Sequence, residues 1–252
     1  MAPTASIAVI GNEILSGKFV DENSPFLIGE LRDLGVDLCR IVVLPDDTAD
    51  IAITVSTMSA AFDYVFTSGG VGPTHDDLTM EGIARGFDVG LAPIPELTQL
   101  LTEHFGQEPS AAQLRLATAP QGATLVYGAD RKWPVTQFRN ITILPGVPSL
   151  FRKMFLSIRE TFRGQPKLSA RIYVHGDESE FADALANVVQ AHRHVDIGSY
   201  PRFEASIHHV IVCLESRDPN ALESATTAVR LTLGDRLLSA SEIEYLAESL
   251  SS

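Results

Sequence analysis

The sequence predicts an α/β protein with a mostly parallel sheet covered by helices on both faces, followed by a small α+β domain. Short apolar stretches of strand type alternate with helical segments over most of the chain, and glycine turns follow several of these stretches. After residue 165 the pattern changes, because two strands then follow each other without an intervening helix. We therefore expect one domain over residues 1–165 and a second over residues 166–252.

The first domain is predicted to begin with a strand over residues 6–10, whose nearly continuous apolar character is typical of a sheet buried on both faces. A polar loop over residues 14–23 precedes a helix that is capped by Asn23 or Ser24 and stopped by Gly35. Asp47 or Thr48 is expected to cap the next helix. The further strands and helices are predicted over residues 36–44, 48–61, 63–66, 80–84, 95–105, 110–117, 123–126, 133–138, 140–144 and 150–162. Residues 123–126 and 133–138 are expected to form a hairpin with its tip at 128–131.

The second domain is predicted to have the order βαββα, with antiparallel pairing of its two adjacent strands. Its strands are expected over residues 170–175, 195–200 and 206–215, its helices over 178–191 and 219–233, and a terminal helix over 241–250. Asp218 is a predicted helix cap. Phe181, Leu185, Val188 and Val189 are expected on the buried face of the first helix.

Composition excludes several functional classes. The formal net charge of −13 opposes non-specific nucleic-acid binding, which depends on Lys and Arg neutralising phosphates. No apolar run approaches the ~20 residues that span a bilayer, and the N-terminus lacks the basic and apolar segments of a secretory signal. Cys39 and Cys213 lie in apolar runs and are predicted to be buried thiols in a reducing compartment. We expect a cytoplasmic protein.

The clearest chemical signature lies in residues 67–79, whose sequence is Thr-Ser-Gly-Gly-Val-Gly-Pro-Thr-His-Asp-Asp-Leu-Thr. This glycine loop follows a predicted strand and precedes a helix, so its N–H groups and the helix N-terminus can bind an anion. Asp76 and Asp77 would repel a phosphate placed there unless a cation lies between them. The sequence therefore predicts a divalent metal shared by protein and phosphate. The alternative is that this acidic pair only caps the helix.

Other polar residues follow predicted strands, and the carboxyl ends of parallel strands form the ligand-binding edge of such sheets. Glu13 follows the first strand and Asp46 follows the second. Pro145 and Gly146 follow the last strand of the first domain in a second glycine turn. Each has a purely structural alternative: Glu13 as a cap or ion-pair partner, Asp46 as a cap, and Pro145 and Gly146 as turn residues.

The residue 67–79 loop resembles the signature of the molybdopterin-binding (MoaB/Mog-like) domain family. Its Thr-x-Asp-Asp-x-Thr ending is similar to the branch found in CinA proteins and at the N-terminus of eukaryotic FAD synthases. Further resemblance lies in Ile10-Gly11-Asn12-Glu13-Ile14-Leu15 with Gly17, Asn23 and Leu27, in residues 40–46, in Arg115-Leu116-Ala117 with Pro120-Gln121-Gly122-Ala123, and in Leu144-Pro145-Gly146-Val147-Pro148. The Gly198-Ser199-Tyr200-Pro201 turn resembles the smaller domain of FAD synthases.

The resemblance implies a MoaB/Mog-like core and metal-dependent pyrophosphatase activity on FAD or ADP-ribose. Neither the deamidase activity of longer CinA proteins nor FAD synthesis is expected, because the domains for them do not match this sequence. Molybdopterin binding without turnover, and molybdopterin adenylylation, remain alternatives. Self-association is expected by analogy with the family.

The leading hypothesis is hydrolysis of a dinucleotide diphosphate to AMP and the other half. Asp77, Glu13 and Asp46 are the predicted catalytic residues, with Mg²⁺, Mn²⁺ or Co²⁺ held by Asp77 assisted by Asp76 or Asp46, and with Glu13 as general base. The predicted ligand-binding residues for a nucleotide or pterin are Asn12, Asn23, Ser68, Gly69, Gly70, Val71, Gly72, Thr74, Pro145, Gly146 and Pro148.

Overall fold

A computed structural model describes residues 2–128, 133–202 and 209–249. The chain divides into two compact units, residues 1–165 and 166–252. In the described part of the chain, no helix is long and apolar enough to cross a membrane. The predicted hairpin tip and the first residues of the predicted 206–215 strand lie largely outside the described residues.

The first unit contains a six-stranded sheet. The strands of this unit are β1 (Thr4–Ile10), β2 (Asp37–Leu44), β3 (Tyr64–Ser68), β4 (Leu91–Pro93), β5 (Thr118–Pro120), β6 (Thr124–Val126), β7 (Val135–Phe138) and β8 (Ile141–Leu144). The order in the sheet is β2-β1-β3-β8-β7-β6, and β4 pairs separately with β5. The strands β2, β1, β3 and β8 run parallel, whereas β7 and β6 are antiparallel additions at one edge. This confirms the predicted mostly parallel sheet and the hairpin.

Helices cover both faces of this sheet. The helices are α1 (Asn12–Leu15), α2 (Asn23–Leu34), α3 (Thr48–Ala61), α4 (Thr79–Gly86), α5 (Pro95–Phe105), α6 (Ala111–Arg115) and α7 (Pro148–Ile158), with a 3₁₀ turn at Arg159–Phe162. Alternation along β1 divides the core, because successive strand side chains point to opposite faces. Ile7 packs with α2 and α7, whereas Ala8 packs with α3 and α4.

Four features of this unit were predicted wrongly or missed. The 14–23 segment begins with α1 and is not a loop throughout, and β4 and β5 were missed because three-residue strands carry too little pattern. The α2 cap is neither Asn23 nor Ser24, since Asp21 Oδ1 accepts hydrogen bonds from both of their backbone N–H groups. Cys39 is exposed because it lies on the edge strand β2. The predicted Asp47 cap of α3 is confirmed.

The second unit has the predicted βαββα order. Its elements are β9 (Leu168–His175), α8 (Ala182–Ala191), β10 (Asp196–Arg202), β11 (His209–Ser216), α9 (Pro219–Thr232) and α10 (Ala240–Ser249). The strands form an antiparallel sheet in the order β10-β11-β9, and Asp218 caps α9. Val189 is exposed, so the buried face of α8 is narrower than predicted. The residues predicted as a turn at 198–201 lie within β10.

Candidate functional site

The carboxyl ends of β1, β3 and β8 bring three loops together at one edge of the main sheet. These three strands are neighbours and parallel, so residues 11–13, 69–72 and 145–147 all leave the sheet on the same side. The chain passes from β1 to its neighbours β2 and β3 on opposite sides, and ligands bind at such switch points in open α/β sheets. The position of the predicted site thus follows from strand order.

Glycines allow these loops to approach one another closely. A Cβ placed on Gly69 would lie 2.2 Å from the Ile10 carbonyl oxygen, and one on Gly146 would lie 3.2 Å from the Gly69 Cα. Gly69 and Gly70 have φ values of 98° and 61°, a conformation that other residues rarely adopt. The glycines are therefore required by backbone contact and conformation at the site.

Asn23 joins two of the three loops. Its side-chain N–H groups donate to Ser68 Oγ and to the Gly146 carbonyl oxygen, both at 2.8 Å. Asn23 and Ser68 are buried. Asn23 Oδ1 is also buried and accepts no hydrogen bond from the part of the chain that the structure describes. The Asn23 side chain therefore keeps an unused hydrogen-bond acceptor where the two loops meet.

Thr79, the first residue of α4, holds the glycine loop in place through two hydrogen bonds. Its hydroxyl donates to the Gly69 carbonyl oxygen at 2.8 Å, and its N–H donates to the Gly70 carbonyl oxygen at 3.1 Å. Thr79 is fully buried, and a Cβ on Gly70 would lie 2.4 Å from its hydroxyl oxygen. Thr79 is not among the predicted site residues, although it is the last residue of the 67–79 signature.

The half-buried Asp77 carboxylate folds back over the glycine loop. Its Oδ2 accepts hydrogen bonds from the Thr74 N–H at 2.8 Å and from the Thr74 hydroxyl. A Cβ on Gly72 would lie 2.4 Å from the same oxygen. A negative charge is therefore held beside a loop whose geometry is suited to anions.

Asp76 is exposed, and its carboxylate lies 3.9 Å from His75 Nδ1. The Thr74 side chain, the Asp76 backbone N–H and the nearby His75 charge hold the pKa of Asp76 below its ordinary value. Thr74 therefore influences both acidic residues. It lowers the pKa of Asp76, and its hydroxyl donates a hydrogen bond to Asp77. Asp76 is ionised at neutral pH and accessible to a cation.

Asp46 and Glu13 lie at the β2 and β1 ends of this edge. Asp46 Oδ2 accepts a hydrogen bond from the Asn12 N–H at 2.8 Å, so Asp46 positions the first loop. The exposed Glu13 carboxylate folds over Gly11, where a Cβ would lie 2.4 Å from Glu13 Oε1. Asp46 is not the cap of α3, because Asp47 fills that position.

Two acidic side chains, Asp76 and Asp77, lie next to each other in the sequence beside the glycine loop. Among residues 2–128, 133–202 and 209–249, no three His, Cys, Asp or Glu side chains are grouped closely enough to hold a metal ion alone. Mg²⁺ is often bound through one or two carboxylates together with water and substrate phosphates. Asp77 and Asp76 can supply such ligands beside the glycine loop.

The remaining predicted ligand residues shape the site or line it. Pro148 is the first residue of α7, and Pro145 precedes the glycine that accepts from Asn23 through its carbonyl group. Val71 and Gly72 line a cavity next to the glycine loop. Arg115 lines the same cavity, although it is not among the predicted site residues. Arg115 could have been selected from the sequence because it belongs to the Arg115-Leu116-Ala117 segment, which is part of the family resemblance.

Comparisons with known proteins agree with this architecture. Residues 6–163 match the family described as "Probable molybdopterin binding domain", and residues 166–242 match "FAD synthase, middle domain". The crystal structure of the protein CinA of unknown function from Thermoplasma acidophilum aligns with a TM-score of 0.58 and 28% identity. That alignment covers 64% of this chain and 98% of the CinA chain.

Two curated relatives match across both units. A "Probable FAD synthase" of Caenorhabditis elegans is 31% identical, with 93% of this chain and 51% of the relative covered. The chain thus spans about half the length of that relative. A protein of Archaeoglobus fulgidus is also 31% identical, with 91% of this chain and 98% of the relative covered. The glycine loop, the three-loop edge and these matches together show that the chain belongs to the molybdopterin-binding (MoaB/Mog-like) domain family, in combination with a domain of the FAD synthase middle type.

Proposed function

We propose that this protein is a metal-dependent pyrophosphatase that hydrolyses a dinucleotide diphosphate, FAD or ADP-ribose, to AMP and the other half. The observation that carries the proposal is the position of the Asp77 carboxylate, which is held against Gly72 of an anion-binding loop. A carboxylate and a phosphate both require positive charge between them to share this space. The relatives named as FAD synthases support a nucleotide ligand.

In this proposal the glycine loop binds the diphosphate. The Gly69 N–H donates to the Leu144 carbonyl oxygen at 3.2 Å, so the N–H groups of Gly70, Val71 and Gly72 would bind the diphosphate, and the N-terminus of α4 would add its partial positive charge. Ser68 Oγ, already a hydrogen-bond acceptor from Asn23, can donate its proton to a phosphate oxygen. These contacts orient the bond to be cleaved.

Asp77 and Asp76 would hold the metal, and a bound Mg²⁺, Mn²⁺ or Co²⁺ would polarise a phosphoryl oxygen and favour ionisation of water. Glu13 would act as the general base, and its exposed carboxylate at the β1 end of the same sheet edge supports this role. It would orient the attacking water and accept its proton. Asp46 acts indirectly, by holding the Asn12 N–H and with it the loop that carries Glu13.

The test is to incubate the purified chain with FAD or ADP-ribose and Mg²⁺, Mn²⁺ or Co²⁺, and to measure AMP by chromatography. We expect AMP with at least one metal, and loss of AMP with EDTA and in Asp77→Asn. Asp50→Asn is the control, because Asp50 is an exposed residue of α3. Absence of AMP under every condition would contradict the proposal.

Molybdopterin binding is the second candidate, favoured by the description of the family that matches residues 6–163. The same glycine loop would then hold the pterin phosphate, with or without adenylylation. Tight molybdopterin binding together with absence of AMP release from FAD and ADP-ribose would support this candidate. Appearance of adenylylated molybdopterin when ATP is added would identify the transferase.

A further inference from the structure

A small cavity adjoins the glycine loop on the side of α4. Its volume is about 120 Å³, and Gly70, Gly72 and Asp77 line it from the loop. Arg115 lines it from α6. Pockets for whole drug-sized ligands usually measure about 300–1,000 Å³. The cavity is therefore suited to one part of a dinucleotide.

A further part of the cavity wall is formed by β4 and by the residues around the start of β5. None of these residues was predicted to belong to the site. Leu91 of β4 lines the cavity together with Leu116 and Thr118, which lie around the start of β5. β4 and β5 pair antiparallel, and the Ile94 N–H donates to the Ala117 carbonyl oxygen at 2.7 Å. This pairing holds the end of α6 against the glycine loop side of the unit.

The helix that carries Arg115 is itself fixed at its start. Ser110 and Gln113 form a reciprocal capping box, with hydrogen bonds of 2.8 Å and 3.3 Å. Arg115 is the last residue of α6, and the buried Ala117 follows it. The Arg115 backbone therefore has a defined position, whereas its side chain is exposed and can meet a ligand.

Charge distinguishes Arg115 from the other residues at this cavity. Asp77 and Glu81 are acidic, and Arg115 is the basic side chain among the described residues that line it. The whole chain carries a formal net charge of −13, so it provides little long-range attraction for an anion. An arginine guanidinium can pair with two phosphate oxygens at once. Arg115 can thus offset locally the repulsion that the carboxylates exert on a phosphate.

The rest of the lining is mainly apolar. Met80, Leu91 and Leu116 contribute to it, and Leu91 is 37% exposed. An apolar surface of this kind suits the flat face of a nucleotide base, whose burial removes apolar area from water on both sides. Glu81 lies at the same cavity and can accept a hydrogen bond from an amino group of a base.

We infer that this cavity is a nucleoside diphosphate subsite, in which Arg115 pairs with a phosphate and Leu91, Leu116 and Met80 contact the base. The inference rests on the proposed nucleotide-binding function and assigns Arg115 as a determinant of affinity for the phosphates. It does not depend on hydrolysis, because it concerns binding alone.

The test is calorimetric titration of the full chain with ADP and with adenosine, in the presence and absence of Mg²⁺. We expect Arg115→Ala to raise the Kd for ADP by about tenfold or more and to leave the Kd for adenosine unchanged. Arg115→Lys should restore part of the ADP affinity, because it keeps the charge but not the paired geometry. Leu91→Ala should weaken adenosine and ADP by similar factors.

The matched control is Arg85→Ala, an exposed arginine in the last turn of α4 that does not line this cavity. It should bind ADP as the natural chain does, and thermal unfolding should show that all variants are folded. Unchanged ADP affinity in Arg115→Ala, or no ADP binding by the natural chain, overturns the inference. If ADP binding depends on Arg115 but FAD and ADP-ribose release no AMP, the subsite stands and the pyrophosphatase proposal fails.

Discussion

The Asn23 side-chain amide donates a 2.8 Å hydrogen bond to the Ser68 hydroxyl, joining the start of α2 to the end of β3 across 45 positions of sequence. The same amide group donates to the Gly146 carbonyl oxygen. Asp21 makes this possible, because it accepts from the N-terminal N–H groups of α2 and leaves the Asn23 side chain free of capping. A residue at a helix start thus holds two loops of the candidate site together.

Replacement of Asn23 tests this connection. Asn23→Asp removes both donors and places a carboxylate against the Gly146 carbonyl oxygen, so the fold and the site should both suffer. We expect a loss of about 1–3 kcal/mol in the free energy of unfolding and loss of most nucleotide binding. Urea unfolding and ADP titration measure the two effects. Asn220→Ala, at an exposed position of α9, is the control. Unchanged stability and ADP affinity in Asn23→Asp would show that the connection is dispensable.

Thr79 gives a second test of loop preorganisation. Thr79→Val keeps the shape but leaves the buried Gly69 carbonyl oxygen without the hydroxyl donor. We expect a loss of about 1–3 kcal/mol in unfolding free energy and a weaker ADP complex. Thr79→Ser retains the hydroxyl and should stay close to the natural chain in both measurements. Equal behaviour of the Val and Ser variants would argue that packing, and not the hydrogen bond, is what Thr79 contributes.

We expect substitutions of Asp77 and of Glu13 to lower the rate of AMP release by different factors. Glu13→Gln should lower the rate of AMP release by about 10²–10⁴-fold, the usual contribution of a general base. Asp77→Asn should lower it further, because both metal and diphosphate depend on that carboxylate in the proposed site. Initial rates with FAD and ADP-ribose at saturating metal provide the comparison. Small and equal losses in the two variants would reject the assignment of both residues.

The hydrogen bonds that Asp63 accepts predict that the stability of the fold depends on pH. Its Oδ2 accepts from the Thr4 N–H at 2.7 Å and from the Thr4 hydroxyl at 2.8 Å, and these bonds hold the pKa of Asp63 below its ordinary value. A lowered pKa in the folded chain favours folding above the unfolded pKa of about 3.9, and the contribution disappears as the pH falls through the lower folded value.

We therefore expect Asp63→Ala to be less stable than the natural chain at pH 7, with the difference shrinking below about pH 4. Urea unfolding across that pH range measures it. Asp33→Ala, an exposed carboxylate of α2, is the matched control. A difference that grows on acidification would contradict the sign of this linkage.

Phe155 tests the core beneath the site. Its ring lies 5.8 Å from Phe66, 6.0 Å from Phe26 and 5.9 Å from Phe162, measured between centroids, and its side chain is fully buried. We expect Phe155→Ala to lower the free energy of unfolding by about 3–5 kcal/mol, through lost burial and a residual cavity. Phe19→Ala, at a position 67% exposed, should change it by less than about 0.5 kcal/mol. A loss below 1 kcal/mol in Phe155→Ala would contradict this account of the core.

Local sequence determined most of the longer elements and the order in which they occur. The alternation of apolar strands and helices predicted the parallel sheet, and the βαββα pattern predicted the second unit, because period and chain order are local properties. Asp47 and Asp218 were identifiable as caps, since a cap acts on N–H groups within three residues. The glycine loop was also identifiable, because its residues are contiguous in the sequence.

Tertiary structure alone decided which distant groups meet. The sequence does not show that the Asn23 side chain turns from its own helix toward Ser68 and Gly146, because Asp21 and strand order settle that choice. Nor does it place Arg115 at the cavity of the glycine loop, since the short strands β4 and β5 that position it have too few residues to produce a pattern. Contacts between remote segments depend on the packing of the whole unit, and no local propensity encodes them.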